Sequence, residues 1–245
     1  MAAPGRPTPQ APHEGRPRFR DRSHELPRQE VNPYLLEHRQ LAPIAIPADE
    51  GWAHRGAWAS CFGREAPLHL EIGSGNGFFL AALAKRHPEW NILGVEIRYK
   101  RIVLCAKKVM KANLSNARIL RYHAAHLDDI LTPGSLHGLY VNHPDPWPKE
   151  RHERNRLISA WFLEDVALYL VEGGHLRLKS DHKPNIDRVR TLLEGPCAHL
   201  PLRISGESPD VNTQPAPWPD DIATNYQLKF KRKGEPVYAI EVIRC

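Results

Sequence analysis

The sequence predicts an α/β fold with a mostly parallel sheet of seven strands, an antiparallel edge strand, and helices on both faces. Short apolar strand patterns and longer helical patterns alternate along most of the chain, as a parallel sheet requires. A glycine-rich turn, Gly73–Gly77, joins the first strand to the first helix. The last two strands follow each other without a predicted helix between them, which favours antiparallel pairing. The predicted strands are 68–72, 91–97, 116–122, 136–142, 175–179, 202–205 and 236–244.

Helix boundaries are predicted from proline and glycine. Pro88 cannot continue the first helix, which therefore ends near His87. The pair Gly173–Gly174 is expected to end the third helix. Pro184 fits the first turn of the fourth. The predicted helices are 78–87, 99–114, 156–170 and one that begins at Pro184.

Three segments of different composition divide the chain. Residues 1–30 are rich in proline and arginine and have almost no apolar periodicity, so we expect a disordered tail. Residues 31–66 contain Trp52, Trp58 and Phe62, which predict a short N-terminal extension packed on the core. Residues 67–245 contain the alternating strands and helices and are expected to form the main domain.

The composition predicts a single globular domain with an anionic partner and a cytoplasmic location. Apolar residues make up 41% of the 245 residues, enough for one full core once the polar tail is set aside. The formal net charge of +6 favours an anionic partner such as RNA. The four cysteines form no Cys-x-x-Cys pair, which indicates reduced thiols and a cytoplasmic location. We expect no membrane association, because no apolar run approaches a membrane span and the first residues lack a secretory signal.

The glycine-rich turn has an acidic residue directly before it. The spacing is Glu71-x-Gly-x-Gly-x-Gly77, which differs from the Gly-x-Gly-x-x-Gly pattern of dinucleotide sites. Glycines such as Gly73 and Gly75 let a ligand approach the backbone, since a Cβ would collide with it. A carboxylate repels phosphate and attracts a cation, and S-adenosylmethionine carries an ammonium, a sulfonium and no phosphate. The alternative is a turn with a purely structural role.

A second acid ends the next strand. Glu96 follows Gly77 by 19 residues, close to the spacing at which an acid meets ribose hydroxyls in this class of fold. The two acids together predict a nucleoside site, and an ordinary acid at a strand end is the alternative. His123 and Ala124 follow the third strand, where an adenine lies in such sites. His123 and His126 lack a third ligand in the sequence, so no metal is expected.

The densest polar stretch, His143–Arg156, follows the fourth strand. Its prolines exclude helix and central strand, so we expect a rigid loop at the carboxyl edge of the sheet, where ligands bind in open α/β folds. Asp145 lies between two prolines, Trp147 offers an aromatic face, and Lys149 begins a basic cluster. An acid, an aromatic ring and cations beside a nucleoside site suggest a nucleic-acid substrate. A stiff surface loop with solvated charges is the alternative.

Five motifs resemble those of one family. They are Glu71-x-Gly-x-Gly-x-Gly77, Gly94-Val-Glu96, Pro144-Asp-Pro-Trp-Pro-Lys-x-Arg-His152, Lys179-Ser-Asp181 and Thr224-x-Tyr-x-x-Lys-Phe230. In this register the chain is similar to the bacterial tRNA (guanine-N7)-methyltransferases, the TrmB family, from about residue 32 to its end. The resemblance implies a Rossmann-like class I methyltransferase fold. It also implies S-adenosylmethionine as methyl donor and a guanosine in the tRNA variable loop as acceptor.

The resemblance places Asp145 at the catalytic position. N7 of guanine carries no proton at neutral pH, so we expect Asp145 to stabilise the positive charge on the ring, or to orient the ring, rather than act as a base. Asp181 is the alternative orienting residue. The full set of expected cofactor-binding residues is Glu71, Gly73, Gly75, Glu96, Ile97, His123, Ala124, Asn142 and Asp145. The expected substrate-binding residues are Lys149, Arg151, Asp181, Thr224, Asn225, Tyr226 and Gln227.

Three positions depart from the family pattern. His123 stands where the family usually has aspartate beside the adenine, and we expect the site to survive with altered contacts. Gln227 replaces a glutamate, and Asn155 interrupts a run of cations. The last two changes concern substrate affinity more than cofactor binding.

Three other functions remain open. One is an amino-group methyltransferase, although Asp145 separates the prolines of the loop that would hold an exocyclic amine. Another is a nicotinamide-dependent oxidoreductase, which the spacing after Glu71 disfavours. The third is a non-catalytic RNA-binding protein on a methyltransferase scaffold. The expected assembly is a monomer or a homodimer.

Overall fold

A computed structural model describes residues 33–245, and the predicted tail, residues 1–30, lies outside them. Within the described chain, eight strands form one sheet in the order β1-β4-β3-β2-β5-β6-β8-β7. The strands are β1 (Ala45–Ile46), β2 (Leu68–Ile72), β3 (Asn91–Glu96), β4 (Ala117–Arg121), β5 (Leu136–Asn142), β6 (Leu170–Ser180), β7 (Leu202–Ser208) and β8 (Tyr238–Arg244). The α-helices are α1 (Pro33–Gln40), α2 (Ala48–Gly51), α3 (Trp58–Phe62), α4 (Phe78–Arg86), α5 (Tyr99–Lys111), α6 (Ala160–Tyr169), α7 (Lys183–Glu194) and α8 (Asn225–Lys233).

The predicted α/β architecture is confirmed. Strands β1 to β6 pair in parallel, and β8 runs antiparallel to both β6 and β7. The antiparallel strand therefore lies one place inside the edge formed by β7. The additional strand is the two-residue β1, which pairs with β4 at the opposite edge.

Helices cover both faces of the sheet because strand residues alternate between two apolar cores. Leu93 and Val95 of β3 belong to one core, whereas Ile92 belongs to the other. The first core includes side chains of α3, α6 and α7, and the second those of α4 and α5. Strands buried on both faces are typical of parallel sheets, and this leaves the strand ends as the place for polar residues.

The segment before β2 packs on the sheet. The indole nitrogen of Trp58 donates to the carbonyl oxygen of Ile130 at 2.8 Å, and Phe62 lies under the guanidinium of Arg118 at 5.1 Å. Trp58 and Phe62 thus belong to the first core, and the division of the chain at residue 66 stays a prediction.

Two predicted connections are wrong. The pair Gly173–Gly174 does not end α6, which closes at Tyr169 and leads directly into β6. Gly173 has a φ of 76°, and residues 171–174 form an irregular insertion in β6 where the register with β5 shifts. In addition, α8 lies between β7 and β8, where we expected no helix.

The boundaries of α6 and α8 are marked by local contacts. Helix α6 begins at Ala160 rather than at Arg156. Arg156 belongs to the preceding segment, where its side chain donates to the carbonyl oxygens of Trp147 and Pro148. Helix α8 is capped at its start by Thr224, whose hydroxyl oxygen accepts from the backbone N–H of Gln227, and at its end by Gly234 with a φ of 68°.

None of the helices in residues 33–245 combines the length and apolar character needed to cross a membrane. The four cysteines, all in this part of the chain, form no disulfide.

Candidate active site

A cleft of about 650 Å³ lies where the carboxyl ends of β2, β3 and β5 meet. This is the edge at which open α/β sheets bind ligands. All nine residues predicted to bind the cofactor line it, and three of the predicted substrate residues do as well. These twelve are Glu71, Gly73, Gly75, Glu96, Ile97, His123, Ala124, Asn142, Asp145, Thr224, Asn225 and Tyr226.

The turn between β2 and α4 depends on its glycines in two different ways. Gly73 and Gly75 have φ values of 75° and 53°, and a Cβ on Gly73 would meet no protein atom within 4 Å. The backbone there is thus open to a ligand. Gly77 is needed for packing, since a Cβ would come within 2.5 Å of the sulfur of Cys105 on α5.

Glu71 carries a buried carboxylate, and only one of its two oxygens has a hydrogen-bond partner among the described residues. The side-chain amide of Asn142 donates to Oε1 at 3.3 Å, and Oε2 has no hydrogen-bond partner among the described residues. Burial is the main reason that the pKa of Glu71 is raised to about 7. An unpaired buried carboxylate on the wall of a cleft favours a ligand with a positive charge.

Glu96 is fixed by backbone N–H groups. Its Oε1 accepts from Ile97 at 2.8 Å and from Arg98 at 3.0 Å, and its Oε2 accepts from Gly75 at 3.1 Å. The carboxylate at the end of β3 therefore lies against the glycine turn. Its contact with ribose hydroxyls stays a prediction.

His123 caps the short helix Ala124–Asp129. Its Nδ1 accepts from the backbone N–H of Ala125 at 3.0 Å, which is the contact that an aspartate makes at a helix N-cap. With histidine in place of the expected aspartate, the N-terminus of this helix is still capped.

The proline-rich loop holds Asp145 in an exposed position on the cleft. Asn185 donates to the carbonyl oxygen of Pro144 at 3.2 Å, and Arg156 donates to that of Trp147 at 3.0 Å. These contacts hold the start of the loop against α7 and its middle against Arg156, which follows the loop. The half-buried indole of Trp147 lines the same cleft.

Four predicted substrate residues do not line the cleft. Lys149 and Arg151 are exposed in the loop beyond it, and Asp181 lies at the end of β6. Gln227 is only 5% exposed, and its Oε1 accepts from the ammonium of Lys179 at 2.9 Å. The Gln227 side chain thus reaches into the protein and away from the cleft.

His143 is a residue of this region that sequence reasoning missed. It follows β5 with a φ of 52° and lies between Asp181 and Thr224, within hydrogen-bond distance of both. The available signal was a histidine between a strand end and a Pro-Asp-Pro sequence. In the sequence alone, the acid, the tryptophan and the cations of this stretch give the stronger signal.

The fold and the position of the cleft are those of a methyltransferase, and solved structures show the same fold. The chain resembles an antibiotic-related methyltransferase with a TM-score of 0.56 and 15% identity, over 76% of this chain and 92% of that one. It also resembles the 16S rRNA (adenine(1408)-N(1))-methyltransferase of Catenulisporales acidiphilia, solved with its cosubstrate SAM. That match has a TM-score of 0.50 and 16% identity, over 77% of this chain and 90% of the other. At such identities the likeness shows the methyltransferase fold alone.

Sequence comparisons identify the family. Residues 65–240 match a family model described as "Putative methyltransferase". The tRNA (guanine-N(7)-)-methyltransferase of Bacillus subtilis is 32% identical over 210 residues, which cover 85% of this chain and 93% of that protein. The enzyme of the same name from Geobacillus kaustophilus is 33% identical over 195 residues, 78% of this chain and 85% of the other. The chain belongs to the tRNA (guanine-N7)-methyltransferase family.

Proposed function

We propose that the protein methylates N7 of a guanosine in the variable loop of tRNA, with S-adenosylmethionine as the methyl donor, in the cytoplasm. The observation that carries the proposal is the presence of two carboxylates with different surroundings in one cleft. Glu71 is buried and half satisfied, while Asp145 is exposed and held by a proline-rich loop. The first suits a cationic donor and the second suits a base that becomes cationic. The names of the relatives support the same reaction.

The donor site fits the chemistry of S-adenosylmethionine. When bound, this cofactor supplies a methyl group on a positively charged sulfur. Glu71 would pair with a positive group of the donor, and Glu96 would accept hydrogen bonds from ribose hydroxyls. The open backbone at Gly73 leaves room for close approach, and His123 with Ala124 would border the adenine.

The acceptor side of the cleft offers aromatic faces to a purine. Tyr226 is 51% exposed at the start of α8, and Trp147 of the proline-rich loop lines the same cleft. A base drawn out of an RNA stack is commonly held on such rings. Guanine N7 already carries a lone pair, so Asp145 has no proton to remove. Its role is to stabilise positive charge on the ring or to accept an N–H of the base.

Exposed cations near the cleft suit a phosphate backbone. Lys149 and Arg151 lie in the proline-rich loop, and α8 carries four more beyond Tyr226, namely Lys229, Lys231, Arg232 and Lys233. The net charge of +6 has the sign needed for RNA.

The experiment is incubation with unmodified tRNA and labelled S-adenosylmethionine, followed by nucleoside analysis. We expect 7-methylguanosine from the native transcript and none from a transcript whose variable-loop guanosine is replaced by adenosine. Label on an exocyclic amine would instead support an amino-group methyltransferase. Binding of tRNA without incorporation of label would support a non-catalytic RNA-binding protein, and either result would contradict the proposal.

A further inference from the structure

His143 joins three segments of the chain beside the cleft. Its Nδ1 lies 2.8 Å from Oδ1 of Asp181 at the end of β6, and its Nε2 lies 3.0 Å from the hydroxyl oxygen of Thr224. The side chain is only 5% exposed, and its ring packs against Tyr226 and Phe230 with centroid distances of 5.5 and 5.8 Å. The imidazole thus connects the loop after β5, the end of β6 and the first turn of α8.

The surrounding contacts favour one direction for these hydrogen bonds. The hydroxyl oxygen of Thr224 accepts from the backbone N–H of Gln227 at 2.9 Å, so its own hydrogen is available to His143. An imidazole that accepts at Nε2 carries its proton on Nδ1 when it is neutral, and it then donates to Asp181. In agreement, the hydrogen bond from His143 is the main reason that the pKa of Asp181 is lowered.

We propose that His143 is a positioning residue for the acceptor base, acting through Asp181. The imidazole donates to Oδ1 of Asp181, which leaves Oδ2 available to another donor. Asp181 is exposed just outside the cleft and contacts His143, which lines it, so Oδ2 is the oxygen available to an N–H of a purine held there. Through Thr224 the same ring sets the first turn of α8, which presents Tyr226. This inference rests on the proposed function and deepens it. It gives His143 a role in binding the acceptor base and none in binding the methyl donor.

Two contacts that do not involve the His143 side chain hold the neighbouring elements in place. Helix α8 is held a second time by Gln227, whose side-chain oxygen accepts from Lys179 on β6. The backbone N–H of His143 also donates to the carbonyl oxygen of Lys179 at 2.8 Å, and this contact does not depend on the side chain. Removal of the imidazole should therefore free Asp181 and Thr224 from each other while both elements stay in place.

Three substitutions separate the two hydrogen bonds. In His143→Asn the amide nitrogen stands near the position of Nδ1 and can still donate to Asp181. In His143→Gln the amide reaches the position of Nε2 and Thr224 only, and His143→Ala keeps neither contact. We expect KM for tRNA to rise about tenfold or more in the Gln and Ala variants and about threefold or less in the Asn variant. KM for S-adenosylmethionine should stay within about twofold in all three. His199→Asn, at an exposed position, is the control.

A double-mutant cycle with Asp181→Asn tests the route through Asp181. Once Asp181 has lost its charge, His143→Ala should add less than about twofold to KM for tRNA, because the two residues act as one unit. A full additional loss, or equal effects on the two substrates, would overturn the proposal. The cycle also controls for the backbone, because asparagine tolerates the φ of 52° at this position better than glutamine or alanine does. A backbone effect of His143→Ala would persist in the Asp181→Asn background, whereas the loss of the hydrogen bond to Asp181 would not.

A spectroscopic measurement keeps this inference separate from the proposed function. The ¹⁵N chemical shifts of the His143 ring report which nitrogen carries the proton, and they need no substrate. We expect the Nδ1-protonated form, and the Nε2-protonated form would overturn the proposed direction. If the wild-type protein makes no 7-methylguanosine, the proposed function fails, whatever form the ring shows.

Discussion

The ammonium of Lys179 donates to Oε1 of Gln227 at 2.9 Å and to Oδ2 of Asp221 at 2.8 Å. Lys179 is only 1% exposed, and its third N–H meets the carbonyl oxygen of Ile222. One buried cation therefore lies beside one carboxylate and two neutral acceptors. The glutamine that departs from the family pattern leaves no charge unmatched, because Asp221 supplies the negative charge.

A charge exchange between positions 221 and 227 tests this arrangement. Asp221→Asn leaves the Lys179 ammonium buried with neutral acceptors only, so the free energy of unfolding should fall by about 2–4 kcal/mol. Adding Gln227→Glu returns a carboxylate to the ammonium and should recover at least half of the loss. Urea unfolding of the four proteins of the cycle measures both effects.

The single variant Gln227→Glu is the matched control for this exchange. It places two carboxylates around one ammonium, so we expect no gain in stability. A double variant no more stable than Asp221→Asn would show that Asp221 and Gln227 do not share the charge of Lys179.

Glu71 should make binding of the methyl donor depend on pH. Its pKa of about 7 means that the free protein holds a proton on this carboxyl group at lower pH, and a cationic ligand must displace that proton. We expect the Kd for S-adenosylmethionine to be constant well above pH 7 and to rise by up to about tenfold per pH unit below it. Isothermal titration calorimetry across this range gives the profile.

Glu71→Gln provides the control and a second readout. The variant should bind the donor weakly and with little pH dependence. Since the pKa is higher in the folded protein than in the unfolded chain, ionisation costs stability as the pH rises from about 4.5 to about 7. Without ligand the variant should therefore unfold less readily than the wild type at alkaline pH, by on the order of 2–3 kcal/mol. Parallel pH profiles for the two proteins would refute the assignment.

Site residues can be predicted from the sequence when a local pattern places them, and they cannot when their position depends on contacts with distant parts of the chain. Glu71, Glu96 and Asn142 each lie at a strand end, so a local pattern was enough to place them on one cleft. His143 contacts Thr224, which is 81 positions away in the chain, and no local pattern records such a contact. The sequence pattern fails to predict helix α8 for a related reason.

The sequence of α8 gives little sign of an amphipathic helix. Four of its nine residues are cations, and Gln227 is its buried residue. Its position is set by contacts from Thr224 to His143 and from Gln227 to Lys179, both made to other elements. Because these contacts are polar and tertiary, apolar periodicity could not reveal the helix.

Asp145→Asn tests the electrostatic role of the proline-held carboxylate. The amide keeps the shape but removes the charge, so we expect the single-turnover rate of methyl transfer to fall by about 10²-fold. The Kd for S-adenosylmethionine should change only a few-fold, because Glu71 provides the buried negative charge of the donor site. Asp187→Asn makes the same chemical change on α7 and serves as the control. A wild-type rate in the Asp145 variant would exclude a catalytic role for the carboxylate.

The basic end of α8 should govern how tRNA affinity responds to salt. Lys229 and Lys231 are exposed on this helix beyond Tyr226, where they can meet phosphates of an RNA whose base lies in the cleft. Replacing both with glutamine should weaken tRNA binding for all sequences alike and reduce the slope of log Kd against log salt by about one to two. The matched control is the pair Lys85→Gln and Lys111→Gln, which removes the same charge from exposed positions on α4 and α5. Equal slopes for the two double variants would mean that α8 contributes net charge only, and that the phosphate contacts lie elsewhere.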